Sequence, residues 1–158
     1  MRKLVVAAAV AGLSGWAGAA GAQLFSSTGP VIAILDGKLL VGEATGHLGG
    51  WGTIALRSRS GAGPTCVGEF SHNAEALGDA GQLKCSDGAS AAFRFQRLSL
   101  RRGYGAGSSG LSTLTFTYGL SAEDSVPYLK LPAGKELRGD GDDLELVIAA
   151  PFPLRTSR

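Results

Sequence analysis

Short runs of alternating apolar and polar residues, each cut off by glycine, constrain this chain more than any other feature. Leu111 to Leu120 is the clearest: Leu114, Phe116 and Tyr118 alternate with Thr113, Thr115 and Thr117. A period of two puts successive side chains on opposite faces of a half-buried strand. Trp51 to Ser58 repeats the pattern, with Ile54 and Leu56 set against Thr53, Ala55 and Arg57. Val31 to Leu35 is instead a continuous apolar run. The Asp36-Gly37 that follows reads as a two-residue type I′ turn returning through Lys38 to Thr45, because both central residues of that turn need positive φ. Glycine supplies 25 of 158 residues without a three-residue period, and proline only six, so neither a collagen-like chain nor a disordered one fits. Many short strands at close spacing predict an all-β fold, one antiparallel β-sandwich or small barrel.

The amino end reads differently. Arg2 and Lys3 precede an apolar run from Leu4 to Val10 that continues through Leu13, and small residues end at Ala20-Gly21-Ala22 before Gln23. A charged start, an apolar middle and an A-x-A site predict a secretory signal peptide over residues 1–22, cut between Ala22 and Gln23. The apolar run is too short for a membrane span, which takes roughly 20 residues, and no later stretch qualifies. The remaining chain divides into one all-β domain over 23–150 and a loose tail over 151–158. Removing Arg2 and Lys3 leaves thirteen basic and thirteen acidic residues, a balance that speaks against non-specific nucleic-acid binding.

Two cysteines in an exported chain read as one disulfide, Cys66 to Cys85. If Thr65–Ser71 and Gly81–Ser86 pair antiparallel with Cys66 opposite Cys85, then Gly68 faces Leu83, Phe70 faces Gly81, and Cys66, Phe70, Leu83 and Cys85 share one face. A three-residue loop, Ser86-Asp87-Gly88, with Gly88 in the left-handed position, keeps Ala89, Ala91, Phe93 and Phe95 on that same face. Leu98 and Leu100 have the opposite parity, so a bulge near Gln96-Arg97 is expected. Gly103 to Gly110 reads as a flexible loop. Ser121 caps one short helix with Glu123 and Asp124 in its first turn, interrupted by Pro127. Leu144 to Ala150 is the last strand.

Candidate chemistry is sparse. Ser86 beside Asp87 lacks the G-x-S-x-G setting of a nucleophile elbow and reads as turn chemistry. His47 and His72 read as exposed loop residues. Asp140-Gly141-Asp142-Asp143-Leu144-Glu145 is the nearest thing to a calcium loop, but it lacks the EF-hand pattern. No metal site and no cofactor are expected, and Gly103-Tyr104-Gly105-Ala106-Gly107 lacks the strand-to-helix setting of a dinucleotide fingerprint. Arg94, Arg97 and Arg101 with Tyr104 are the candidate binding residues. Arg94 and Arg97, read as facing outward beside Arg102, form a basic stripe suited to an acidic glycan, a lipid head group or an envelope protein. Trp51 reads as a core anchor, with a sugar-stacking platform as its alternative.

Two stretches carry a resemblance. Cys66-Val67-Gly68-Glu69-Phe70 followed by Gly81-Gln82-Leu83-Lys84-Cys85-Ser86-Asp87-Gly88, and Gly103-Tyr104-Gly105-Ala106-Gly107 followed by Phe116-Thr117-Tyr118-Gly119, resemble small exported β-domain proteins of proteobacteria. The resemblance spans Thr65 to Gly119. It implies export and a β fold and brings no activity or site with it. The expectation is therefore a periplasmic or secreted, non-catalytic binding or accessory module. A hydrolase with its site spread over loops, and a structural subunit of an envelope assembly, are the alternatives.

Overall fold

The computed structural model describes residues 26–72 and 79–151. Eight strands follow one another: β1 (Ser26–Leu35), β2 (Lys38–His47), β3 (Trp51–Ser58), β4 (Thr65–Ser71), β5 (Asp79–Cys85), β6 (Ser90–Ser99), β7 (Arg102–Ser109) and β8 (Ser112–Tyr118). Each pairs antiparallel with the next, and β8 returns to pair with β1 through Val31–Tyr118 to Leu35–Leu114, closing a barrel. Helix α1 (Ala122–Ser125), a 3₁₀ turn (Val126–Tyr128) and the hairpin of β9 (Lys135–Arg138) and β10 (Glu145–Ile148) follow.

Local chemistry accounts for the turns. Asp36 and Gly37 both have positive φ, 52° and 73°, as a type I′ turn needs. Cys85 N–H donates to the Ala89 carbonyl and Gly88 N–H to Cys85, with Gly88 at φ 87°. This is the three-residue loop the alternation requires. Cys66 stands opposite Cys85, Gly68 opposite Leu83 and Phe70 opposite Gly81, and the two cysteines are disulfide-bonded with their Cα atoms 3.9 Å apart.

An eight-stranded barrel is just wide enough for side chains to fill it. Its blind end is plugged by Leu35, Leu40, Leu56, Cys66, Leu83 and Leu114, all buried. Nearer the other end, phenylalanines face glycines across the strand pairs: Gly81 with Phe93, Gly105 with Phe116, Gly52 with Phe70. A Cβ on Gly81 would lie 2.4 Å from the Phe93 ring. The ring occupies the space that a neighbouring side chain would otherwise need.

Among the described residues, the outer wall is covered on one side only. The segment after β8 passes down the outside and reaches the Asp36–Gly37 turn, where Pro132 lies against Gly37. Ala122, Leu129 and Leu144 bury Ile32, Ile34 and Leu39 of β1 and β2 from outside. Val31–Leu35 is therefore apolar throughout because both of its faces are covered, one by the barrel interior and one by this strap. Beneath α1, the buried Thr117 hydroxyl donates to Ser125 Oγ, which donates to the Ser121 carbonyl, both at 2.7 Å. Ser121 Oγ accepts from Asp124 N–H at 3.1 Å, the expected cap.

Elsewhere the outer wall carries exposed Glu43, Arg57, Glu69, Lys84 and Arg94. This is the reverse of a lipid-facing barrel, which is apolar outside. Among the described residues, no helix is long and apolar enough to cross a membrane.

Three expectations need correcting. The glycine-rich stretch 103–110 is mostly strand β7 rather than a loop, because its glycines at 103, 105 and 107 leave interior room for Tyr118, Phe116 and Phe93. The register shift in β6 falls between Arg97 and Ser99, near the expected Gln96-Arg97, but it does not carry Leu98 and Leu100 onto the interior face. Arg97 consequently keeps the inward parity of Phe93 and Phe95, while Leu98 and Leu100 are left exposed. Arg97 is thus not part of an outward stripe with Arg94. The proposed signal peptide with its Ala22–Gln23 site, and residues 152–158 of the tail, lie outside the described residues.

Candidate binding cavity at the barrel mouth

Among the described residues, the end of the barrel opposite the leucine plug is open. A cavity of about 480 Å³ enters there, within the range that holds a small organic ligand. Its walls are Val31, Ala44, Ile54, Phe70, Phe93, Phe95 and Phe116. The rings brace one another edge to face: Phe93 to Phe116 at 5.1 Å, Phe70 to Phe95 at 5.4 Å and Phe95 to Tyr118 at 6.0 Å between centroids. Alanine at 44 and glycine at 46 on β2 leave the facing side open, so the void lies between an aromatic wall and a small-residue wall.

One polar cluster interrupts this surface. Asp79, the first residue of β5, has the inward parity of Gly81 and Leu83 and is only 5% exposed. Arg97 Nε donates to its Oδ2 at 2.7 Å, and His72 Nδ1 hydrogen-bonds its Oδ1. An ionised carboxylate only accepts, so the His72 proton sits on Nδ1 and Nε2 faces away from the pair. The Arg97 guanidinium also lies 6.0 Å from the Phe95 ring centroid, within cation–π reach. Burial pushes the Tyr118 phenol above its ordinary value of 10.0; Arg97 pulls it down and Asp79 pushes it up. Tyr118 therefore stays a neutral hydroxyl. With both Asp79 oxygens engaged, the cluster has N–H groups of Arg97 and the Tyr118 O–H to offer a polar group at the mouth.

Among the described residues, the rim is formed by the β2–β3 and β6–β7 connections. His47 and Trp51 stack there at 4.0 Å, and Leu48, Leu100 and Arg101 line the opening. Trp51 is a half-exposed rim residue and not the core anchor expected for a strand start; its outward parity in β3 excludes it from the barrel interior.

The four candidate binding residues divide between two surfaces. Arg97 and Arg101 are at the mouth. Arg94 is on the outer wall, as is Tyr104, whose ring stacks on Tyr128 at 4.3 Å and whose hydroxyl donates to Gln96 at 2.6 Å. Arg102 pairs with Asp124 at 3.1 Å. Ser86 sits in the disulfide hairpin at the blind end and accepts from Thr65 N–H, at the other end of the barrel from both histidines. Asp140 caps a 3₁₀ turn and Asp142 pairs with Arg57 at 3.3 Å. No group of three or more His, Cys, Asp or Glu is placed to hold a metal ion among the described residues.

Sequence reasoning missed Asp79 and Tyr118. Both carried a signal: each shares the parity of the apolar interior positions on its own strand, and an acid at such a position needs a partner.

Comparison with protein-family models, with curated proteins and with solved structures finds no match.

Proposed function

We propose that this is an exported, non-catalytic binding protein whose barrel takes up one small apolar molecule, with that molecule's polar end at the Asp79–Arg97–Tyr118 cluster. The observation that carries this reading is the cavity, with its aromatic lining and, among the described residues, one polar cluster at its mouth. Such a layout suits a ligand with a single polar end. The Arg97 and Tyr118 donors favour an oxygen-bearing end, a carboxylate or a hydroxyl, over an amine. Export is supported by the leader pattern of residues 1–22 and, weakly, by the Cys66–Cys85 bridge. The resemblance to exported β-domain proteins points the same way.

A hydrolase would draw on the His72–Asp79 pair, which has the form of a base with its orienting acid. In this chain the same Asp79 also holds Arg97, and among the described residues the His72 ring bonds only to Asp79. A structural subunit would be served by a long open apolar edge, and closure of β1 onto β8 leaves the barrel none.

The test is titration of the protein with a fluorescent long-chain carboxylic acid. Saturable uptake of one probe per chain is expected. Ala44→Phe should fill the void and weaken binding about tenfold or more, the equivalent of roughly 1.4 kcal/mol, with the thermal midpoint retained. No saturable uptake, or full uptake by the filled variant, overturns the reading. Turnover of an ester analogue of the probe would favour the hydrolase.

A further inference from the structure

Eight large apolar side chains are notably exposed among the described residues, and four of them cluster at the mouth end: Leu48 at 78%, Trp51 at 52%, Leu98 at 52% and Leu100 at 89%. They lie in or beside two connections four strands apart in a ring of eight, β2–β3 and β6–β7. The mouth is thus flanked on opposite sides by apolar tips. No described element covers them, and the strap that seals the outer wall runs away from them toward the blind end.

Charge accompanies this apolar rim. Arg101 lies beside Leu100, lines the opening, and has no ion-pair partner among the described residues. Asp79, the acid of the mouth among the described residues, is buried with its oxygens engaged. The exposed face of the described rim is therefore apolar with a positive charge. Trp51, stacked on His47, supplies an amphipathic ring at the same level.

We infer that the mouth rim docks on the surface of an anionic lipid bilayer. Leucines and an indole inserted at the headgroup boundary with arginine beside them are the usual composition of an interfacial contact. A second copy fits less well, because the described lining of the mouth offers no exposed acid to meet the Arg101 of a twin. Docking there also places the cavity opening against the bilayer. The inference complements the ligand reading but does not depend on it, since the contact uses rim residues and not the cavity walls.

The test uses the full chain carrying Trp16→Phe, so that Trp51 is the only indole. Vesicles of phosphatidylcholine alone and with phosphatidylglycerol are added, with and without bromine in the acyl chains. Docking predicts a blue shift of Trp51 emission and quenching by the brominated chains. The apparent affinity should be several-fold higher for the anionic vesicles, and Arg101→Gln should remove about fivefold of that preference. Leu48→Ser with Leu100→Ser should abolish both signals with the thermal midpoint unchanged. Ala44→Phe, which blocks the cavity, should leave them intact, so failure of ligand uptake and failure of docking are read separately. Trp51 emission indifferent to both vesicles overturns the inference. So does a blue shift that depends on protein concentration without lipid, which would assign the rim to self-association.

Discussion

Gly81 and Gly105 fix how closely neighbouring strands carry their phenylalanines. A methyl at Gly105 would lie 2.4 Å from the Phe116 ring and 2.5 Å from the Arg94 carbonyl oxygen. Neither can withdraw without moving a strand or a packed ring. Gly105→Ala is therefore expected to cost ~1–3 kcal/mol, the range for overpacking a filled core, read as a lowered thermal midpoint. Asp79→Asn keeps the shape but removes the charge that holds Arg97 and orients His72. A cost of about 1–3 kcal/mol is expected from the buried groups left poorly paired, measured by urea unfolding. Tyr118 gives a pH signature. Its folded phenol holds its proton above the pH near 10.0 at which an ordinary phenol ionises. The folded state is favoured by this group below that pH and loses the advantage as pH rises through the folded value. Tyr118→Phe should flatten that alkaline loss in a series of thermal melts. At this scale the sequence was partly legible. Strand parity already placed Phe93, Phe95 and Leu83 inside. The same parity, carried two residues beyond Phe95 and four back from Leu83, gives Arg97 and Asp79 the inward parity as well. What concealed them was the general rule that charged residues face water, which the buried Asp79, paired with a part-exposed Arg97 at the mouth, overrides.

Among the elements, the pairing of β4 with β5 was legible in register, since Cys66 set opposite Cys85 puts Phe70 and Leu83 on one face, whereas the start of β5 at Asp79 was not. The bridge should resist alkylation until reduced. Reduction should lower stability by ~2–4 kcal/mol, the usual range for a disulfide, in a denaturant series with and without reductant. Strand β7 was not legible: Gly103, Gly105 and Gly107 look like a loop until the aromatic residues of β6 and β8 are laid across them. A glycine run of period two beside strands rich in phenylalanine is itself a strand signal. The strap after β8 was half legible. Its Ser121 cap and Pro127 stop could be read locally, whereas its packing on β1 showed only as an unexplained apolar run at Val31–Leu35. Leu144 is the most enclosed residue of that contact at 1% exposure. Leu144→Ala should cost ~2–5 kcal/mol by the cavity it leaves, and should expose Ile32 and Ile34 to an apolar dye before the barrel itself unfolds.

For the molecule as a whole, the local pattern gave strands but could not choose between a closed barrel and two packed sheets. Both bury alternate residues. The choice rests on the pairing of β1 with β8, strands separated by most of the domain, and on the glycines that let one ring of side chains fill the interior. The cavity follows from the same arrangement: leucines fill one end, and at the other Ala44 and Gly46 decline to meet the phenylalanines facing them.

The even number of strands has a practical result. The chain comes into the barrel at Ser26 beside the opening, and the strap carries it back so that Ala149 N–H bonds to Gly134 near the Asp36–Gly37 turn. A sensor surface coupled through the carboxyl end, or a dye at the Gly110–Leu111 tip, leaves the aperture clear for solutes and vesicles. A coupling point ahead of Ser26 starts from a strand end that itself lines the opening, so the support would stand against the aperture.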